Sequence, residues 1–203
     1  MEQGRLLWAD AHLRRLATAA PDADAWLPAA FDAALAAFSG VEIGMVRLAL
    51  DPSARRLVAT VESLPPTPNP YRLRPLPHPL PPHPEGRRKG LDGPWSRLLL
   101  AEAQASGADD ALLRWPDGTL AETAIAAVVL ERNGEALVPP RGGRVLSLGE
   151  LHLLPPWARA RDLRVRECAL RLEDLTSGTL WCLNLVRGLW QAESLPPLPP
   201  MKA

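Results

Sequence analysis

The side chains that could do chemistry in this 203-residue chain form an ordered series rather than one motif. Lys89 comes first, then Glu102-Ala103, Gly107-Ala108-Asp109-Asp110-Ala111, Asp117-Gly118, Glu122-Thr123 and Val138-Pro139-Pro140. The series closes on Trp181-Cys182-Leu183-Asn184-Leu185-Val186-Arg187-Gly188. Lys89 stands out by type, because of the 23 basic residues only Lys89 and Lys202 are lysines. A lysine can act as an amine nucleophile, whereas a guanidinium stays protonated. Standard catalytic signatures are missing: there is no phosphate-cradling glycine loop, no Gly-x-Ser-x-Gly elbow and no His-Glu-x-x-His helix. His12, His78, His83 and His152 are scattered, so no metal site is expected. Cys168 and Cys182 stand in no metal or redox spacing and read as reduced thiols of a cytoplasmic protein.

In order and spacing the series resembles the second half of the class IV aminotransferases, the fold-type-IV enzymes that carry pyridoxal phosphate. The resemblance is greatest to the aminodeoxychorismate lyase branch of that family. Lys89 and Glu122 are 33 residues apart, with the Glu-Ala, Gly-x-Asp-x-Ala-Leu and Asp-Gly frame of that branch between them. Asn184, Arg187 and Gly188 match its Asn-Ser-x-Arg-Gly strand, and residues 4–16 are similar to the family's strand-helix entry.

The resemblance implies a role for each matching position. Lys89 is the catalytic amine that links covalently to the cofactor. Glu122 meets the pyridine nitrogen and keeps it protonated, so that the ring serves as an electron sink. Arg15 meets the cofactor phosphate from the small domain. Glu150 and Leu151 offer backbone N–H groups to that phosphate, Leu185 stands beside it, and Asn184 and Arg187 face the substrate. Without the resemblance, Lys89 reads as a surface lysine beside Arg87 and Arg88. Glu122 then reads as a solvated residue near the Asp117-Gly118 turn, and Arg15 as an exposed helix charge next to Arg14.

The chain departs from the family pattern at four places. The family's first strand is expected to be absent, since Met1 stands immediately before Gly4. Ala127 occupies the position of a family asparagine, and Leu185 that of a small hydroxyl residue. The Gly-Ile-Thr-Arg phosphate turn is Gly149-Glu150-Leu151-His152. A carboxylate at Glu150 repels a phosphate unless it points away.

The elements that must position these residues follow from periodicity and turn chemistry. Residues 10–20 and 25–38 read as helices, the first capped by Asp10 and the second stopped by Ser39-Gly40. Residues 45–50 and 56–61 read as a β-hairpin. Half of residues 65–84 are proline, which predicts an extended connection outside any sheet ladder. Beyond it a helix is expected over 95–106, ended by Gly107, then short strands at 110–114, 120–121, 126–131 and 136–138. Asn133-Gly134 marks a tight hairpin. Residues 148–159 read as a short helix broken by Pro155-Pro156, residues 165–170 and 179–185 as strands, and 172–177 as a turn of helix.

These elements predict an α+β protein of two domains. Residues 1–64 form a small sandwich, 65–86 a proline-rich linker, and 87–203 a larger, barrel-like cofactor domain. Hydrophobic residues at 47% and charged residues at 23% exclude wholesale disorder. A net charge of zero gives no global field for nucleic acid or an anionic membrane, and no apolar run reaches the length of a span. The resemblance implies a cytoplasmic homodimer acting on a small-molecule amine, with no nucleic-acid or membrane partner. The reaction it points to is a lyase step of folate synthesis, yielding 4-aminobenzoate and pyruvate. A class IV aminotransferase acting on amino acids and a degenerate, non-catalytic relative are the alternatives.

Overall fold

A computed structural model describes residues 8–18, 22–36, 44–51, 53–81, 95–142, 144–145 and 147–198. The chain divides into two units, Met1–Pro66 and Thr67–Ala203. In the first, helices α1 (Ala9–Ala17) and α2 (Ala23–Ala36) accompany the antiparallel strands β1 (Met45–Asp51) and β2 (Arg56–Glu62). Leu13, Leu16 and Ala17 recur at helical spacing on α1 and pack with Ala23, Leu27, Leu50 and Leu57. Asp51 organises the hairpin turn, its Oδ1 accepting from the Ser53 N–H at 3.1 Å and the Ala54 N–H at 3.1 Å. The strand expected near Gly4 lies outside the described residues.

The second unit holds an eight-stranded sheet whose order is β5-β4-β3-β10-β9-β6-β7-β8. Its strands are β3 (Tyr71–Pro77), β4 (Asp110–Arg114), β5 (Leu120–Thr123), β6 (Ala127–Arg132), β7 (Glu135–Val138), β8 (Arg164–Glu167), β9 (Thr179–Asn184) and β10 (Gly188–Ser194). Helix α3 (Trp95–Ala105) precedes β4, while α4 (Leu148–His152) and α5 (Leu154–Ala160) lie between β7 and β8. A 3-10 helix, Leu172–Ser177, leads into β9. Strands β5 and β6 are far apart in the sheet order yet joined by only residues 124–126, with the Thr123 N–H donating to the Ala126 carbonyl at 2.8 Å. So short a link forces the sheet to curl, giving the half-barrel that the sequence predicts. The return from β8 reinforces it, since the Leu120 N–H on β5 donates to the Leu170 carbonyl at 2.7 Å.

Side-chain alternation divides the apolar residues of this sheet. Tyr71, Leu73, Leu112, Leu120, Val128 and Cys182 belong to one interior cluster. Ala103, Ala111, Leu113 and Ala121 pack on the other face with α3, and Val129, Val138, Leu154 and Ala158 pack there with α5.

The proline-rich segment is not the connection outside the sheet that its composition predicts. It supplies β3, which runs parallel to both β10 and β4. The Arg72 carbonyl accepts from the Asp109 N–H on the β4 side, and the Leu73 carbonyl accepts from the Leu195 N–H on the β10 side. Successive residues therefore face opposite neighbours, so Pro75 and Pro77 face the β10 side, where pairing has already ended at Ser194 opposite Leu73. No N–H is needed there.

The predicted break at Pro155-Pro156 is also displaced. The helices separate at Leu153, and both prolines lie in the first turn of α5, where a missing N–H removes no helical bond. The Asn133-Gly134 turn forms as predicted, with φ of 52° and 76°.

Candidate active site

Three polar side chains meet at one end of the curled sheet. Cys182 on β9 belongs to the interior cluster, so Asn184, two residues on, shares its face. Glu122 lies in an irregularity of β5, whose pairing with β4 steps from Leu120 opposite Arg114 to Thr123 opposite Leu112. Asp110 is in the same register below Leu112 on β4. All three converge on the link 124–126. Glu122 enters it directly, the Asn184 Nδ2 donates to the Ile125 carbonyl at 3.3 Å, and the Asp110 Oδ1 accepts from the Ala124 N–H at 3.2 Å.

Glu122 is 7% exposed, and its Oε1 accepts from the Val145 N–H at 3.4 Å. This is a buried carboxylate rather than a solvated turn residue. Asp110 is fully buried, and burial pushes its carboxyl up to about 6 despite hydrogen bonds from Thr123, Ala111, Ala124 and Ile125 that favour the ion. Its Oδ2 has no hydrogen-bond partner among the described residues. Tyr71 is also buried at this end, and burial, followed by the nearby Asp110 and Cys182, raises its hydroxyl pKa.

The turn after β9 is built by Asn184. Its Oδ1 accepts from the Val186 N–H at 2.9 Å and the Arg187 N–H at 2.8 Å, while the Arg187 Nη1 donates to the Thr67 hydroxyl at 2.9 Å. Leu185 is half-buried within that turn. Gly149 of α4 packs against the Asn184 backbone, which brings the Glu150-Leu151 segment to the same end of the sheet.

The Glu150 carboxylate is buried and paired, and its partner is a residue that no motif marks. Arg144 and Glu150 are each 1% exposed and form a two-pronged ion pair, Nη1 to Oε2 at 2.5 Å and Nη2 to Oε1 at 2.6 Å. Burial works against the Arg144 charge, but hydrogen bonding and attraction from Glu150, with further attraction from Glu122 and Glu167, outweigh it and raise its pKa. Leu151 is exposed. A buried acid requires a counter-charge, and the burial of Glu150 that calls for Arg144 is seen only in the fold.

The second unit thus brings together Glu122, Glu150, Leu151, Asn184, Leu185 and Arg187, and adds Asp110 and Arg144. Arg15 belongs to the first unit, half-buried in the last turn of α1. Lys89 lies outside the described residues, as does His83. Among the described residues, no three His, Cys, Asp or Glu side chains cluster to hold a metal ion. No helix among them is long and apolar enough to cross a membrane.

Comparison with known proteins bears on this arrangement. Residues 1–195 match the sequence profile of the family described as amino-transferase class IV. No curated protein matches the chain. Among solved structures it is similar to a candidate 4-amino-4-deoxychorismate lyase of Legionella pneumophila, at 18% identity and a TM-score of 0.76, over 96% of this chain and 80% of that one. A second candidate 4-amino-4-deoxychorismate lyase is 25% identical, with a TM-score of 0.72 over 98% of this chain and 82% of its own. The PLP-bound form of a hypothetical aminotransferase from Mycobacterium tuberculosis is 21% identical, with a TM-score of 0.72 over 98% and 81% of the two chains.

Proposed function

The chain belongs to the class IV aminotransferase family, and from that premise we propose that it is a pyridoxal-phosphate-dependent lyase, forming 4-aminobenzoate and pyruvate from 4-amino-4-deoxychorismate. The observation that carries this reading is Glu122, a carboxylate 7% exposed at the mouth of the half-barrel and held by the Val145 amide. A buried acid at the position where the family meets a pyridine nitrogen fits a cationic ring. The names of two structural neighbours support the choice of lyase.

The residues fit the cofactor better at its ring than at its phosphate. At the ring, Glu122 supplies the negative partner. At the phosphate, Glu150, Leu151 and Leu185 offer no hydroxyl, but the Glu150 charge is neutralised by Arg144 and so does not oppose an anion. The Glu150 and Leu151 N–H groups donate to the Ser147 hydroxyl at 3.4 Å and the Ser147 carbonyl at 3.2 Å, so a phosphate held there has to compete with those acceptors.

Pyridoxal phosphate, when bound, supplies an electron-withdrawing ring that stabilises negative charge on the carbon bearing the amine. Glu122 holds the ring-nitrogen proton in place and so preserves that property. Lys89 would hold the cofactor through its amine and would serve as the base for the proton on the amine-bearing carbon of the substrate. Asn184 fixes the turn from which Arg187 meets the substrate's carboxylates. Loss of that proton together with the enolpyruvyl group would leave an aromatic ring, which makes the step favourable, and the released enolpyruvate takes up a proton to become pyruvate.

One observation favours a second reading, a relative that has lost catalysis: three hydroxyl-bearing or turn positions of the phosphate cup are Glu150, Leu151 and Leu185. Incubation of the purified protein with pyridoxal phosphate and 4-amino-4-deoxychorismate decides between them. The lyase reading predicts equal amounts of 4-aminobenzoate and pyruvate, with no keto acid required. Amino-group transfer to 2-keto acids without lyase product, or no turnover of either kind, contradicts it.

A further inference from the structure

We propose that Arg144 is a positioning residue for Glu122, acting by locking the segment whose Val145 N–H holds that carboxylate; the inference rests on the cofactor reading above. Arg144 sends its guanidinium back over its own chain, with Nη2 donating to the Pro139 carbonyl at 2.8 Å and Nε to the Pro140 carbonyl at 3.2 Å. The same fork binds Glu150 on both oxygens. One side chain therefore ties Pro139 and Pro140, at the end of β7, to α4 and anchors the chain at residue 144. Val145 is the next residue, so the same anchor holds the position of its N–H. A buried guanidinium with donors on three separate acceptor groups has little freedom to shift.

Prolines at 139 and 140 make this anchor economical. They have no N–H of their own to satisfy, and their carbonyls are turned inward onto Arg144. The attraction between Arg144 and Glu122 adds to the effect, because the guanidinium feels that carboxylate as well as Glu150. Lysine at 144 keeps the charge but cannot fork. A methionine at 144 with leucine at 150 removes the pair without stranding a buried charge.

The test compares pyridoxal phosphate with 1-deazapyridoxal phosphate, which carries CH in place of the ring nitrogen. Affinities are read by tryptophan quenching on the full chain, with thermal midpoints measured in parallel. Wild type is expected to prefer the nitrogen-containing ring by about tenfold or more, the size of a charge-assisted hydrogen bond. Both Arg144→Lys and the Arg144→Met/Glu150→Leu double variant are expected to bind the two compounds with a ratio falling toward one. A purely structural role lowers the midpoint and both affinities together and leaves the ratio intact, which overturns the proposal. If the double variant does not fold, Arg144→Lys decides alone. Wild type that binds neither compound contradicts the cofactor reading instead. Wild type that binds both equally removes the ring contact of Glu122, and the proposal with it.

Discussion

Gly149 and Asn184 meet backbone to backbone: a Cβ on Gly149 would stand 3.0 Å from the Asn184 Cα and 3.4 Å from its carbonyl carbon. Helix α4 can approach the end of β9 only because residue 149 has no side chain. The contact joins the segment expected to face a phosphate to the turn expected to face the substrate.

Gly149→Ala is therefore predicted to destabilise the protein by about 1–3 kcal/mol, the usual cost of overpacking against groups that cannot move aside. The Ser147 hydroxyl at 3.3 Å adds to the crowding. Thermal unfolding checks it, and pyridoxal phosphate binding should weaken in parallel as α4 shifts from β9.

Asn184 offers a second check. Asn184→Ala removes acceptors from the Val186 and Arg187 N–H groups and the donor to Ile125, with a predicted loss of about 1–3 kcal/mol. Asn184→Asp keeps both acceptors and loses only the donor, so its midpoint should lie between those of Ala and wild type. An aspartate variant less stable than the alanine one would contradict this account of the turn.

Asp110 predicts a pH dependence. Its pKa in the folded state, about 6, lies above the ordinary 3.8, so between these values the native protein holds more protons at this site than the unfolded chain. The contribution of Asp110 to stability is therefore greatest below about pH 4 and falls as pH rises through about 6. Asp110→Asn can still accept from the Ala111 and Ala124 N–H groups at Oδ1 without a buried charge. Denaturant unfolding should show it more stable than wild type at pH 7, by on the order of 2–3 kcal/mol, with the difference vanishing near pH 4. Equal stability at pH 7 would contradict the buried-charge account.

Much of the fold was legible because local chemistry and tertiary structure agree. Asn133-Gly134 makes its hairpin, Gly107 ends α3 at a φ of 80°, and the short apolar runs around Leu112 and Val128 mark strands. The segment 71–77 was not legible, because proline argues against a ladder and only the early end of β10 pairing makes Pro75 and Pro77 acceptable. At the site, the resemblance identified Glu122 and Asn184, and their convergence is seen in the fold. Arg144 carried no motif, since its role depends on Glu150 being buried, which sequence spacing does not reveal. The acid named by the Gly-x-Asp-x-Ala-Leu frame is Asp109, Asp110 falls at one of its variable positions, and its proximity to the Glu122 link arises from the pairing of β4 with β5.

The central claim is that one lysine in this arginine-rich chain carries the cofactor. Borohydride reduction of the protein in the presence of pyridoxal phosphate, followed by peptide mapping, tests it most directly. The account predicts a single stoichiometric adduct on Lys89, lost in Lys89→Ala. An adduct shared between Lys202 and the amino terminus, or one that persists undiminished in Lys89→Ala, would contradict it.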